Sequence, residues 1–152
     1  MEEPELHVSE ILLSQSTAIP KAVLDTIDNS FVFSIDELNH AKCRKKTLYI
    51  SSNIKGEFIG YCITSVGFPF EVAEELDCDI EGKVVWIDVL EIAVLHQGYN
   101  YGRAFVEQIK RRCSYDILLL SIEDSICFWQ QIGFKVVCYS GEMAYMIYER
   151  PI

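Results

Sequence analysis

The sequence predicts an α/β domain, and three observations predict it. The spacing of apolar residues alternates between three-to-four and two along the chain, with no internal repeat, low-complexity tract or linker to divide it. A length of 152 residues, 50% of them hydrophobic, suffices for one buried core without covalent staples. The run VVWIDVLEIAV (84 to 94) is apolar on both alternate faces, the mark of a central strand covered on each side.

The predicted order begins with a helix at IPKAVLDTID (19 to 28), where Ile19, Val23, Leu24 and Ile27 recur at helical spacing and Pro20 fits a first turn. SIDELNHAKCRKK opens on Ser34 with Glu37 three residues on, a capping-box pair. It predicts a second helix ending among the basic residues 44 to 46, whose charge suits the negative end of the helix dipole. TLYISSN and EFIGYCITSVG, joined by NIKGE, then predict a β-hairpin with Gly56 in its turn.

FPFEVAEELDCDIEGK is an acidic connection holding at most one helical turn, read first as a solvated loop and second as a substrate-facing lip. After the central strand, GRAFVEQIKRRC places Phe105, Val106, Ile109 and Cys113 on one helical stripe. DILLLSI is a buried strand and SICFWQQIGF a short helix ending at Gly133. FKVVCYSGEMAYMIYER is a terminal hairpin turning at Ser140 and Gly141.

Composition excludes several classes of function. No run approaches the roughly 18 apolar residues of a membrane span, and MEEPELHV lacks the layout of a signal peptide, so an intracellular, cytoplasmic protein with no membrane partner is expected. Six cysteines are scattered without a CxxC pair or a histidine at zinc-ligand spacing; reduced thiols and no metal are expected. A net charge of −10 argues against nucleic acid as a partner and favours a cationic or amine-bearing one.

The stretch HQGYNYGRAF (96 to 105) holds the chemistry. A strand running through a glycine-bearing turn into a helix builds an anion site. The helix N-terminus leaves N–H groups unpaired, and small residues let phosphate oxygens approach them. Asn100, between Gly98 and Gly102, tolerates the left-handed conformation almost as well as glycine. Neither GxGxxG nor GxxxxGK(S/T) is present, so Rossmann and P-loop readings fall away; an ordinary strand-to-helix loop stays open as the alternative.

VLEIAVLHQGYNYGRAFVEQI resembles motif A of the GNAT N-acetyltransferase superfamily, in which Gln/Arg-x-x-Gly-x-Gly/Ala follows the central strand. Gln97 takes the first position and Gly102 the last, while Asn100 replaces the usual middle glycine. SIEDSICFWQQIGFKVV is similar to the family's motif B through Phe128, Trp129, Gly133 and Phe134.

The resemblance covers nearly the whole chain and implies one N-acetyltransferase domain over residues 1 to 152. Its mixed sheet would have six to seven strands, flanked by about four helices and splayed around the central strand. The implied activity is acetyl-CoA-dependent acylation of a primary amine by direct transfer in a ternary complex. The strand end Ile92, Ala93 and Val94 would meet the cofactor, with backbone groups of Ile92 and Val94 pairing with the pantetheine arm. N–H groups of Gln97, Gly98, Tyr99, Asn100, Tyr101, Gly102 and Arg103 would receive the pyrophosphate, and Phe128 would lie near the thiol. The acceptor is either a small amine or a protein lysine or N-terminus, and the chain is compatible with a homodimer.

Acetylating an amine needs a base or a water path, because most amines are protonated at neutral pH. The central strand offers Asp88 and Glu91, on opposite faces unless a bulge intervenes. Glu91, nearer the loop, is the favoured base; the alternative is that either carboxylate only bonds a neighbouring loop or tyrosine. Many family members place tyrosine where this chain has Trp129, whose indole donates a hydrogen bond but is no practical acid. Tyr139, Tyr145, Cys127 or water then remain to protonate the thiolate. The same departure sustains the alternative of a non-catalytic acyl-CoA-binding module. His96 reads as a solvent-facing loop residue. Lys110, Arg111 and Arg112 read either as phosphate contacts or as a basic helix end.

Overall fold

The computed structural model describes residues 3–69, 80 and 82–151. Its first strand, β1 (His7–Leu12), pairs antiparallel with β2 (Thr47–Ser52), from His7↔Ser52 to Leu12↔Thr47. The sequence reading has no strand here. β1 is an edge strand with most residues exposed, so no buried face imposes alternation on it. β2 continues antiparallel into β3 (Phe58–Gly67), as the period-two pattern predicts.

The hairpin turn is organised by one side chain. Asn53 Oδ1 accepts the N–H groups of Lys55 and Glu57, each at 3.0 Å, and Gly56 takes a φ of +81°.

The remaining strands are β4 (Val84–Ile92), β5 (Ile117–Ser121), β6 (Lys135–Ser140) and β7 (Met143–Tyr148). The seven form one sheet in the order β1-β2-β3-β4-β5-β7-β6. β4 and β5 are parallel, while the β5–β7 and β6–β7 pairs are antiparallel, so the sheet is mixed as expected. The β4–β5 ladder runs from Val85↔Ile117 to Ile87↔Leu119, and β4 continues past it to Ile92. The described residues carry four α-helices: α1 (Lys21–Asp28), α2 (Ile35–Lys42), α3 (Tyr101–Arg112) and α4 (Ile126–Gln131). The segment Glu71 to Glu81, read as an acidic connection, lies outside the described residues except for Ile80.

The chain forms two compact units, Met1–Thr64 with Val89–Arg111, and Ser65–Asp88 with Arg112–Ile152. In the first, Val23 and Ile27 of α1 and Leu38 and Ala41 of α2 bury against Leu48, Ile63 and Val89 of the sheet. α1 starts one residue past Pro20, which caps it: the Pro20 carbonyl accepts the N–H groups of Val23 and Leu24. α2 is capped as its sequence predicts, with Ser34 Oγ accepting the Glu37 N–H at 3.2 Å and donating to Glu37 Oε1. It ends earlier than predicted, at Lys42, and the chain turns away through Lys45 at φ +53°.

In the second unit Val84, Trp86, Leu118, Tyr145 and Ile147 form the core, with Trp86 edge-on to Tyr145 at 6.3 Å. α4 ends in a Schellman motif. Phe134 N–H reaches the Trp129 carbonyl at 3.0 Å, Gly133 N–H reaches that of Gln130 at 3.2 Å, and Gly133 has φ +97°. The rings of Trp129 and Phe134 meet at 5.1 Å, the apolar contact that accompanies such a cap. The aromatic, spacer, Gly-Phe pattern is therefore a helix terminator with a physical reason for each residue.

Candidate active site

β4 delivers the two carboxylates to different surroundings. Asp88 is exposed, and Ser65 Oγ donates to its Oδ1 at a long 3.4 Å. Glu91 is half-buried, and the Tyr61 hydroxyl donates to its Oε1 at 2.5 Å. Burial pushes the Tyr61 phenol far above the ordinary tyrosine range, and the Glu91 carboxylate adds to the shift, so the phenol stays a donor. The sequence reading allowed for Glu91 bonding a tyrosine without naming Tyr61. The available signal was a tyrosine inside the apolar strand EFIGYCITSVG, since a buried phenol requires a partner.

Gly60, also passed over in the sequence, has a packing role beside that pair. A Cβ there would sit 2.4 Å from the Glu91 carbonyl and 2.9 Å from Ile92 Cδ1. Only glycine lets β3 approach the end of β4 so closely, and an isolated glycine inside a strand is the sequence sign of such an approach.

At Ile92 the strand ends and the chain folds on itself. Ala93 N–H bonds the Ile59 carbonyl at 2.8 Å, tying the end of β4 to β3. A single 3₁₀ turn, Val94–His96, follows, with Val94 (81%) and Leu95 (87%) exposed. Gln97 closes the turn twice: its N–H reaches the Val94 carbonyl at 3.3 Å and its side-chain amide the Ile92 carbonyl at 3.0 Å. The carbonyls of Ile92 and Val94, the residues expected to pair with a pantetheine arm through backbone groups, thus each accept a bond from Gln97.

The loop then takes two left-handed residues, Gly98 at φ +87° and Asn100 at φ +65°. A Cβ on Gly98 would meet nothing within 4 Å, so the demand for glycine there is conformational. Asn100 fills the left-handed role expected of it. Its carbonyl accepts the first helical bond from Ala104 at 3.1 Å, and α3 begins at Tyr101. Gly102 is the second residue of α3 and has no positive φ. Phe105, Val106, Ile109 and Cys113 are all buried, as the stripe predicts.

The basic residues separate by position. Arg103 is exposed on the first turn of α3, beside the loop. Lys110 is only 9% exposed and pairs with Glu107 of the same helix at 2.9 Å. Arg111 and Arg112 stand at the far end of α3, roughly 13 Å along the axis from Arg103. His96, expected to face solvent, is half-buried with its ring edge-on to Tyr101 at 5.8 Å. Both rings line a cleft of about 530 Å³ with Tyr99, Asn53, Lys55 and Glu57.

In the second unit Phe128 is half-buried, its ring edge-on to Trp129 at 5.0 Å. Trp129 is buried within the α4 cap described above. Among the groups considered for protonating the thiolate, Tyr145 is buried, whereas Tyr139 and Cys127 are exposed. Among the described residues no helix is long and apolar enough to cross a membrane.

No protein-family model matches the chain, and no curated protein matches it in sequence. Solved structures match it over nearly its full length. The N-acetyltransferase YlbP of Bacillus subtilis, in complex with coenzyme A, is 18% identical at a TM-score of 0.66, covering 96% of this chain and 97% of that one. NAA60 of Arabidopsis thaliana, in complex with acetyl-CoA, is 12% identical at a TM-score of 0.61, covering 95% and 100%. A Bacteroides thetaiotaomicron protein assigned to the GNAT family is 12% identical at a TM-score of 0.65, covering 95% and 88%. At these identities the likeness establishes a shared fold, that of the GNAT acetyltransferases.

Proposed function

We propose that this chain, with its GNAT fold, is an acetyl-CoA-dependent N-acyltransferase that transfers an acetyl group to a primary amine directly within a ternary complex. The observation that carries the reading is the left-handed pair Gly98 and Asn100 set between the end of β4 and the start of α3. A helix N-terminus leaves its first N–H groups without intrahelical partners, which is what pyrophosphate binding requires. The complexes of similarly folded proteins with coenzyme A and acetyl-CoA support it.

In this reading N–H groups from Gly98 to Arg103 hold the pyrophosphate of the substrate, the Gln97 N–H being engaged by the Val94 carbonyl, and the end of β4, Ile92 to Val94, aligns its pantetheine arm. Glu91 takes a proton from the acceptor ammonium. The freed amine attacks the thioester carbonyl, the nitrogen gives up its second proton to water, the tetrahedral intermediate collapses to the amide with cleavage of the C–S bond, and the thiolate takes a proton from water. Glu91 is preferred to Asp88 because it is half-buried and held by a hydroxyl, whereas Asp88 is exposed. The acceptor is an amine, small or on a protein, in a cytoplasmic setting, and the negative net charge favours its approach.

A second reading, a non-catalytic acyl-CoA-binding module, is favoured by Trp129, which supplies no acid at the position where the family resemblance expects tyrosine. Calorimetric titration of acetyl-CoA separates the readings from no binding at all. The parent is expected to bind, and a folded Gly102→Glu variant to lose binding because its carboxylate repels the pyrophosphate. Acetyl-CoA consumption across a panel of amines then divides enzyme from module. Loss of turnover in Glu91→Gln is expected for the enzyme, and full turnover by that variant at neutral pH would remove Glu91 as the base.

A further inference from the structure

Tyr61 is 0% exposed in the first unit's core, beside Leu38, Ile63 and Val89, with its ring tilted against Phe33 at 6.3 Å. A phenylalanine would make those apolar contacts equally well. What the hydroxyl adds is the 2.5 Å hydrogen bond to Glu91 Oε1. The ring is anchored from the helical side as well. Ser30 Oγ accepts the N–H groups of Val32 and Phe33, each at 3.0 Å, fixing the turn that carries Phe33 into α2.

We infer that Tyr61 is a positioning residue for Glu91: its hydroxyl selects one rotamer of the carboxylate and engages Oε1, so that the proton of the acceptor amine is taken at Oε2. The role rests on the acyltransferase reading for its purpose, and on the observed pair for its geometry. In the transfer a proton moves from the ammonium to Oε2 while Tyr61 keeps its own. The burial that holds the phenol protonated supports this, and the other titratable groups acting on it are Cys62, next to it on β3, and Glu37 of α2.

The test is Tyr61→Phe in the full chain, with acetyl-CoA and an amine found active for the parent. We expect kcat to fall about tenfold or more, with KM for acetyl-CoA unchanged. By proton NMR, the parent should show a downfield, exchange-protected hydroxyl proton that vanishes in Tyr61→Phe and in Glu91→Gln. If Tyr61→Phe does not fold, uniform 3-fluorotyrosine labelling replaces it: the more acidic phenol is a stronger donor, and its hydroxyl proton should move further downfield.

A parent without the downfield proton, or an active Tyr61→Phe with the parent's kcat, overturns the inference while leaving acetyl transfer intact. A parent that shows the proton yet acetylates no amine overturns the acyltransferase reading, and reduces the pair to a structural hydrogen bond.

Discussion

The side-chain amide of Gln97 donates to the carbonyl of Ile92 at 3.0 Å, five residues back along the chain. With its own N–H on the Val94 carbonyl, Gln97 stitches the 3₁₀ turn shut and sets the direction in which the loop leaves β4. Gln97→Ala removes the side-chain bond and leaves the backbone one. Because the site is exposed, stability should drop by less than about 1 kcal/mol. Acetyl-CoA affinity, read by calorimetry, should fall about fivefold to tenfold, since a loosened loop pays ordering entropy on binding. An unchanged affinity would mean that the loop is ordered without this bond.

Two glycines make opposite predictions about space. At Gly98 an added methyl meets nothing, so Gly98→Ala should cost only the left-handed penalty, about 1–2 kcal/mol. At Gly60 the methyl would strike the backbone of Glu91, and Gly60→Ala should cost at least as much, of the order of 1–3 kcal/mol, by forcing β3 and β4 apart. Asn100→Gly should be close to neutral, because glycine accepts φ +65° freely. Urea unfolding of the three variants checks all of this. Only Gly60→Ala should also disturb the Tyr61 and Glu91 pair, because Gly60 adjoins both in the chain or in space.

The α4 cap makes Trp129 a structural residue. Trp129→Ala removes the aromatic partner of both Phe128 and Phe134, and should destabilise by about 3–5 kcal/mol. Gly133→Ala, at φ +97°, should cost about 1–2 kcal/mol with the ring contacts kept. Thermal unfolding that moved more for Gly133→Ala than for Trp129→Ala would contradict the order of these two terms.

The buried phenol predicts an alkaline weakness. Its folded pKa lies above the unfolded value of about 10. The unfolded chain therefore releases this proton first as pH rises, and the stabilisation is fully present below about pH 10 and lost above it. The Tyr61 contribution should fall by about 1.4 kcal/mol per pH unit there. Urea titrations between pH 8 and 11 should show a steeper decline in the parent than in Tyr61→Phe. Equal slopes would mean that Tyr61 is already ionised, or exposed, in the folded protein.

Where the sequence was readable, the signal was local. Ser34 with Glu37 announced the start of α2, Gly56 the hairpin turn, and Gly133 the end of α4, because each feature depends on residues within one turn of one another. Asn100 was readable as a position that tolerates the left-handed conformation for the same reason. β1 was not: as an edge strand with one neighbour and little burial, it leaves no periodic mark. The part played by Lys110 was also open, since pairing and solvation look alike in a sequence, and only its position against Glu107 chose between them.

The sequence by itself determined the α/β class, the strand, turn and helix order around residues 84 to 112, and the left-handed chemistry of the loop, since these follow from steric and hydrogen-bonding preferences of neighbouring residues. The tertiary structure alone decided the surroundings of each carboxylate. Asp88 and Glu91 are three positions apart and chemically alike, yet one is exposed and the other is half-buried against Tyr61. That difference arises where β3 and β4 meet, because sheet pairing brings together side chains distant in sequence and burial then sets the strength of the bond between them.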